Sequence, residues 1–114
     1  MPSDSSSRIE LLQGTLDLLI LRTLLFGRAH GHAIAQHIQQ SSRDVLAIET
    51  GSLYPALHRL EAQGAISAEW ATSDKGKRAK YYRLTVSGRK RLVAEQSRWD
   101  QFSEAIGRVL RPAE

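Results

Sequence analysis

The first element that the hydrophobic pattern predicts is a helix with apolar residues on more than one face. Residues 13–26 are rich in strong helix formers, and Leu16, Leu19, Ile20, Leu24 and other apolar residues cover more than one face. A helix of this kind is usually buried on several sides, in a core or against a second subunit. Residues 27–31 begin and end with glycine, which predicts a loop after this helix.

A second, shorter helix is predicted from residue 32 to about residue 40. Its apolar side is marked by Ile34 and Ile38, which lie one turn apart. The polar residues 41–44 break the pattern, and residues 45–48 are expected to form a short extended piece that leads into the next element.

The third helix has the narrowest apolar stripe, formed by Leu53, Leu57 and Leu60. Pro55 predicts that the helix begins close by, because proline is best tolerated in the first turn. Ser52 is therefore the expected N-cap, with Thr50 as the alternative, and Gly64 is expected to end the helix. The opposite face carries short or basic side chains that suit a polyanionic surface: Ser52, Pro55, His58 and Arg59.

A β-hairpin is predicted next, because two short segments alternate between apolar and polar residues. These segments are residues 66–70 and residues 81–84. The polar loop between them, residues 72–78, has Asp74 and Gly76 near its tip and is rich in lysine and arginine. A hairpin with a cationic tip is typical of a wing.

The last predicted helix starts at the N-cap residue Thr85 and runs to about residue 111. Its apolar residues follow a heptad, which indicates a coiled-coil seam with a second chain. The alternative is a helix that folds back on its own domain, and Glu95 interrupts the second seam position. The first seam position holds Leu92, Trp99 and Ile106, and the second holds Phe102 and Val109.

This order of elements predicts a mostly α fold with a small β-hairpin, namely a winged helix-turn-helix followed by a long C-terminal helix. We expect a flexible N-terminal segment at residues 1–10, a DNA-binding domain at residues 11–84 and a dimerisation helix at residues 85–111. A chain of 114 residues has room for one modest core.

The positive charge of the chain is concentrated in one stretch. Residues 75–91 hold eight of the sixteen lysines and arginines and no acidic residue, whereas the rest of the chain has eight basic and twelve acidic residues. The net charge of +4 therefore comes entirely from this stretch, which indicates a footprint for a polyanion. The alternative is an ordinary solvated charge run.

Composition also argues against several other classes of protein. The absence of cysteine excludes disulfides and thiolate chemistry, and no cofactor or metal is expected. His30, His32 and His37 follow no metal-ligand spacing, and there is no nucleophile elbow or phosphate-binding glycine loop, so an enzyme is not expected. With no secretory signal and no long apolar run, we expect a cytoplasmic protein.

Two segments of the sequence resemble those of a known family. The run Gly-Ser-Leu-Tyr-Pro-Ala-Leu-His-Arg-Leu-Glu at residues 51–61 is similar to the recognition-helix signature of PadR-type regulators. The run Lys-Tyr-Tyr-Arg-Leu-Thr at residues 80–85, with Gly88, resembles the second wing strand of that family. Residues 13–25 and the His30-Gly31 turn also match, so the resemblance covers roughly residues 11–106.

The resemblance implies a dimeric winged-helix repressor, often relieved by a small molecule, and the single C-terminal helix resembles the compact branch of the family. Two positions depart from the family pattern. His32 stands where an aromatic residue such as tyrosine is usual, and Glu49-Thr50 replaces a more usual serine-proline. Both lie near the helix-turn-helix, so they put the preferred operator in doubt more than the fold.

Double-stranded operator DNA is the expected partner, and a recognition helix reads the major groove through its N-terminal residues. Arg59 is a candidate for a bidentate contact to guanine, with a phosphate contact as the alternative, and Tyr54 is a candidate phosphate contact. The wing is expected to contact phosphates. The predicted DNA-binding residues are Ser52, Tyr54, Pro55, His58 and Arg59 in the helix and Lys75, Lys77, Arg78 and Lys80 in the wing.

A second copy of the chain is the other expected partner, and a two-fold dimer predicts a pseudo-palindromic operator. Trp99 on the seam could stack on a small aromatic effector, or it could be a plain interface anchor. The predicted interface residues are Leu16, Leu92, Trp99, Phe102, Ile106 and Val109.

Two other kinds of binding module remain as alternatives. A winged helix that binds proteins would show an apolar exposed face on the third helix and an uncharged wing, and the sequence has the reverse. Non-specific nucleic-acid binding fits the same charge pattern, and a salt titration of binding would distinguish it from sequence-specific binding.

Overall fold

The computed structural model describes residues 13–111, in which four helices accompany one small antiparallel sheet. The sheet has the strand order β1-β3-β2. In chain order the elements are α1 (Gln13–Leu24), β1 (Ala29–His30), α2 (Gly31–Ser41), α3 (Thr50–Ala62), β2 (Ile66–Thr72), β3 (Arg78–Leu84) and α4 (Val86–Leu110). The predicted winged helix-turn-helix with a long C-terminal helix is confirmed, whereas the segment at residues 1–10 lies outside the described residues.

The loop predicted at residues 27–31 is partly wrong, because it contains the short strand β1. Ala29 pairs with Tyr82 and His30 pairs with Tyr81 of β3. His30 is also the N-cap of α2, where its Nδ1 accepts a hydrogen bond from the backbone N–H of Ala33 at 3.1 Å. One residue therefore ends a strand and starts a helix, which fixes α2 against the wing.

The start of α3 also differs from the prediction. The N-cap is Glu49, whose carbonyl accepts from the N–H groups of Ser52 and Leu53, so Thr50 and Ser52 lie inside the helix. Pro55 is consequently in the second turn, where its missing N–H would have bonded to the carbonyl of Gly51. The Gly51 carbonyl is close to the exposed start of the helix, which limits the free-energy cost of the missing hydrogen bond.

The segment before α3 is irregular rather than extended. Residues 45–49 form no strand, and Leu46 and Ile48 instead pack partly buried against the core. The N–H of Leu46 donates to the hydroxyl of Ser42 at 3.0 Å, which fixes the turn out of α2.

Gly64 stops α3, as predicted: the helix ends at Ala62, and Gly64 follows the C-cap with a positive φ of 79° that glycine adopts readily. Gly64 N–H donates to the Glu61 carbonyl and Ala65 N–H donates to the Leu60 carbonyl, both at 3.0 Å, which is the Schellman arrangement. This tight end turns the chain directly into β2.

The predicted hairpin and the predicted N-cap of α4 are both present, but the strands extend farther than expected and include residues 72 and 78 of the predicted loop. Strands β2 and β3 pair from Ile66 opposite Leu84 to Thr72 opposite Arg78. Thr85 is the N-cap of α4, and its hydroxyl oxygen accepts from Gly88 N–H at 2.9 Å. Gly88 packs so closely on the backbone carbonyl of Ala65 that an added Cβ would overlap it.

The core lies between α1, α2, α3 and the base of the hairpin. Its largest side chains with almost no exposure are Ile20, Leu21, Ile34, Leu53, Leu57, Leu60 and Ile66. From α4 only Gly88 and Leu92 are buried, so most of this helix extends beyond the core. None of the helices in the described part of the chain is long and apolar enough to cross a membrane.

Candidate nucleic-acid interface

The helix α3 is amphipathic, and this property decides which of its side chains are available to a ligand. Leu53, Ala56, Leu57 and Leu60 are buried against the core. The predicted contact residues Ser52, Tyr54, Pro55 and His58 are all exposed on the other side. The leucine stripe therefore fixes the helix so that its polar face looks outward.

Tyr54 is held in place by the start of α2. A Cβ added to Gly31 would lie only 2.8 Å from the Tyr54 hydroxyl oxygen, so the ring packs closely on Gly31 and would have to shift for a larger residue. The ring remains 39% exposed. The structure thus places the Tyr54 hydroxyl at the surface where the two helices of the helix-turn-helix meet.

Arg59 has a different environment from the other predicted contact residues. Its Nη2 donates to Asp17 Oδ1 at 2.6 Å, and its Nε is buried without a hydrogen-bond partner among the described residues. The guanidinium therefore points toward α1 rather than away from the protein. In this conformation the side chain is 28% exposed, and its Nη2 is bound to Asp17.

The wing presents its cations unevenly. Lys75 and Lys77 are exposed at the tip, where Gly76 has a φ of 77° and its N–H donates to the Ser73 carbonyl at 2.9 Å. Neither lysine has an ion-pair partner within residues 13–111. Their ammonium groups are thus free to contact an anion.

The other two predicted wing cations contact neighbouring side chains. The guanidinium of Arg78 lies 5.5 Å from the ring centre of Trp70, and Lys80 Nζ lies 3.5 Å from Glu61 Oε1. Burial raises the pKa of the Tyr82 phenol, which lies beneath Lys80, and the nearby Glu61 carboxylate raises it further. Lys80 therefore ties the wing to α3 as well as adding charge.

A groove of about 850 Å³ joins the wing to the two helices of the helix-turn-helix. Its lining combines residues from five elements and the loops beside them, including Arg28, His32, Tyr54, Trp70, Lys75 and Lys77. Tyr54 is the member of α3 that lines this groove, and it therefore shares one cationic surface with the free lysines of the wing.

Sequence reasoning missed Trp70 and Arg28 as members of this surface. Trp70 shares the strand face of Ile66, which predicts burial, yet it is 60% exposed because the hairpin extends past the core at that point. Arg28 lies in the segment predicted as a loop, and its Nη1 donates to Glu69 of β2 at 2.8 Å. The only sequence signal for Trp70 was its position just before the basic loop of the wing.

A second surface lies between α1 and α4. A cleft of about 820 Å³ is lined by Gly14, Thr15, Leu18, Glu95, Trp99 and Phe102, among others. The rings of Trp99 and Phe102 are tilted by 43° with their centres 6.0 Å apart. Both rings are well exposed, as are Ile106 and Val109 farther along the same helix.

Two of the predicted interface residues lie elsewhere. Leu16 and Leu92 are only 4% and 3% exposed and belong to the core of a single protomer. They therefore leave almost no surface for a second chain. The seam that remains accessible begins at Trp99.

Beneath α3, a buried carboxylate connects three helices. Asp17 of α1 accepts from Arg59 of α3 at 2.6 Å and from Arg91 of α4 at 3.4 Å, each through a different oxygen. Arg91 also donates to Glu95 Oε2 at 2.7 Å and to Gln63 Oε1 at 2.6 Å. None of these contacts was predicted from the sequence. Within the described residues, no group of three or more histidine and acidic side chains could hold a metal ion.

These features define the class of protein: a winged helix with an outward-facing third helix, a cationic wing and an added long helix. Residues 20–94 match the PadR-like family of transcriptional regulators, and the chain belongs to that family. The resemblance carried by the third helix and the second wing strand is therefore confirmed.

Relatives and solved structures agree with this assignment. The chain is 30% identical over 97 residues to the transcriptional regulator Rv3488 of Mycobacterium tuberculosis, covering 85% of this chain and 87% of that protein. A PadR family transcriptional regulator from Eggerthella lenta is 32% identical with a TM-score of 0.74, covering 89% of this chain and 86% of the other. The structure of smu.1704 from Streptococcus mutans is 29% identical with a TM-score of 0.81, covering 91% and 93%.

Proposed function

We propose that this transcriptional regulator binds operator DNA as a homodimer, through α3 in the major groove and the wing on the flanking phosphates. The proposal rests on the single groove that brings Tyr54 and the free lysines of the wing onto one surface. Residues 11–84 would form the DNA-binding unit and residues 85–111 the dimerisation helix.

The roles of the contact residues follow from their exposure. Ser52, Pro55 and His58 are the candidates for base contacts, because they lie on the exposed face of the recognition helix. Tyr54, Lys75, Lys77 and Arg78 are candidates for phosphate contacts, which fix the register of the protein on the duplex without selecting a sequence. Arg59 and Lys80 would support the interface from within, through Asp17 and Glu61.

Dimerisation through α4 is proposed because its distal half leaves an apolar face uncovered. Trp99, Phe102, Ile106 and Val109 are all exposed and follow the heptad. Two copies packed along this seam would present two α3 helices to a pseudo-palindromic operator with half-sites about one helical turn apart.

Repression and its relief by a small aromatic molecule are the finer parts of the proposal. Binding over a promoter would block transcription, and a planar ligand could stack on Trp99 in the cleft beside α1. The alternative is that Trp99 only anchors the dimer interface and binds no ligand. A titration with planar aromatic compounds, followed by Trp99 emission in a Trp70→Phe variant, separates the two roles, because an anchor would show no saturable change.

The decisive experiment is a gel-shift titration on the DNA upstream of the protein's own gene, with scrambled competitor. His58→Ala should remove the competitor-resistant shift, whereas Lys77→Ala should weaken specific and scrambled DNA alike. Lys77→Ala should also lower the slope of log affinity against log salt by about 1 per lost phosphate contact.

Arg108→Ala is the matched control, because it removes one positive charge from an exposed position on α4 outside the basic stretch of residues 75–91. Equal affinity for operator and scrambled DNA at every salt concentration would overturn the proposed sequence specificity. A competitor-resistant gel shift that survives the double substitution His58→Ala and Ser52→Ala would mean that these two side chains of α3 do not recognise the bases.

A further inference from the structure

The ion pairs around Asp17 form a cluster that also contains Arg59, Arg91 and Glu95, and we call it the Asp17 cluster. It differs from the surface ion pairs of this protein in the burial of its central carboxylate. The Asp17 side chain is only 5% exposed, whereas the Arg108–Glu104 pair on the distal part of α4 is about 70% exposed on both sides. An exposed pair contributes little to stability. A buried carboxylate instead requires its partners, because losing one leaves an uncompensated charge in the interior.

The cluster is also continuous from one functional surface to the other. Glu95 lines the cleft between α1 and α4 and accepts from Arg91 at 2.7 Å. Arg91 and Arg59 occupy the two oxygens of Asp17, and Arg59 lies on the recognition helix α3. Four charged side chains thus lead from the cleft to the helix proposed to read DNA.

A second bond strengthens the link to the end of α3. Arg91 Nη1 donates to Gln63 Oε1 at 2.6 Å, and Gln63 is the C-cap of α3. Arg91 therefore contacts the C-terminal end of α3 twice, directly at the C-cap Gln63 and through Asp17 at Arg59 in the last turn. A shift of α4 along α1 would have to move α3 or break both contacts.

We infer that Asp17 and Arg91 are positioning residues, which couple the cleft between α1 and α4 to the orientation of the recognition helix α3. The inference rests on the proposed function only in the test that uses operator DNA. It also accounts for the acidic residue at a seam position of the heptad: Glu95 binds Arg91 where an apolar side chain would be expected.

The coupling can be tested first without DNA, by hydrogen exchange of the free protein. Arg91→Gln should speed the exchange of the α3 amides about tenfold relative to those of α2, within the usual range of coupling between sites. Arg108→Gln is the matched control, since it removes the same charge from an exposed ion pair on the same helix. General destabilisation would speed α2 and α3 alike, and equal exchange in the two variants would overturn the inference.

The second test uses the two tryptophans of the chain. In a Trp70→Phe protein, Trp99 in the cleft is the only tryptophan, and binding of the operator fragment should change its emission if the sites are coupled. Adding Arg91→Gln should abolish this change, and adding Arg108→Gln should preserve it. Glu95→Gln, which leaves the buried part of the cluster intact, serves if Arg91→Gln fails to fold.

The two failures are distinguishable by measuring binding separately, through the anisotropy of labelled DNA. Binding with no change in Trp99 emission, or with a change that persists in Arg91→Gln, would overturn the coupling. Absence of operator binding by the wild-type protein, which retains Trp70, would overturn the proposed function. The hydrogen exchange of α3 would then be the test that decides the coupling.

Discussion

The winged-helix part of the chain and the distal half of α4 differ in what covers their apolar side chains. In the first region, residues such as Ile20 and Leu57 are completely buried by the same chain. In the second, the residues from Trp99 to Leu110 include five large apolar side chains and no buried residue. The first region is thus stabilised within one chain, whereas the apolar side chains of the second are removed from water only if another surface covers them.

The largest expected effect is in the covered region. Leu57→Ala should lower the free energy of unfolding by about 2–5 kcal/mol, because it creates a cavity beneath the recognition helix. Urea unfolding should show this loss equally at low and high protein concentration. Val109→Ala, at an exposed apolar position, is the control, and an equal loss there would contradict the contrast between the two regions.

The junction between the two regions should respond next most strongly. Gly88→Ala places a methyl group against the Ala65 carbonyl, a contact with backbone that cannot move aside easily. We expect a loss of about 1–3 kcal/mol in the free energy of unfolding, measured by urea unfolding. An unchanged midpoint would mean that α4 does not pack on the hairpin as described.

The uncovered region should respond through association rather than unfolding. Phe102→Ala should raise the dimer dissociation constant at least tenfold, which corresponds to about 1.4 kcal/mol, because aromatic side chains are frequent anchors of interfaces. Sedimentation equilibrium measures this directly. Val86→Ala, exposed near the start of the same helix, should leave the constant unchanged, and an equal effect of both would argue against the distal seam.

The smallest expected effect has the opposite sign. Gly107 lies inside α4, and a Cβ added there meets nothing within 4 Å. Gly107→Ala should therefore stabilise the helix by about 0.5–1 kcal/mol, in contrast to Gly88→Ala in the same element. A rise in the melting temperature is the measure, and a fall would indicate that a partner helix packs directly over Gly107.

The fold was predictable because its signals are local. The leucine stripe of α3, Thr85 at the start of α4 and Gly64 with its positive φ each act within a few residues of the structure they determine. The two-residue strand β1 was missed for the opposite reason. Its partner Tyr82 is more than fifty residues away, and so short a strand has no pattern of its own.

The candidate site was less predictable, because sequence periodicity does not say which surface covers a residue. The heptad grouped Leu92 with Trp99, yet Leu92 lies in the core of its own protomer and Trp99 at the surface. Arg59 occupies a helix position that the pattern assigned to the outer face. Its long side chain reaches back to Asp17, forty-two positions earlier, and only the tertiary structure brings the two together.

The close packing of Gly88 on Ala65 has a mechanical consequence, because it leaves no flexible linker between the wing and α4. The 25 residues of α4 extend about 37 Å from this fixed base, so the helix behaves as a lever. A rotation of about 5° at the base would displace the far end by about 3 Å, close to the 3.4 Å rise of one base pair. In a dimer joined at the far ends, a change too small to disturb the core could therefore move the two recognition helices out of register with their half-sites.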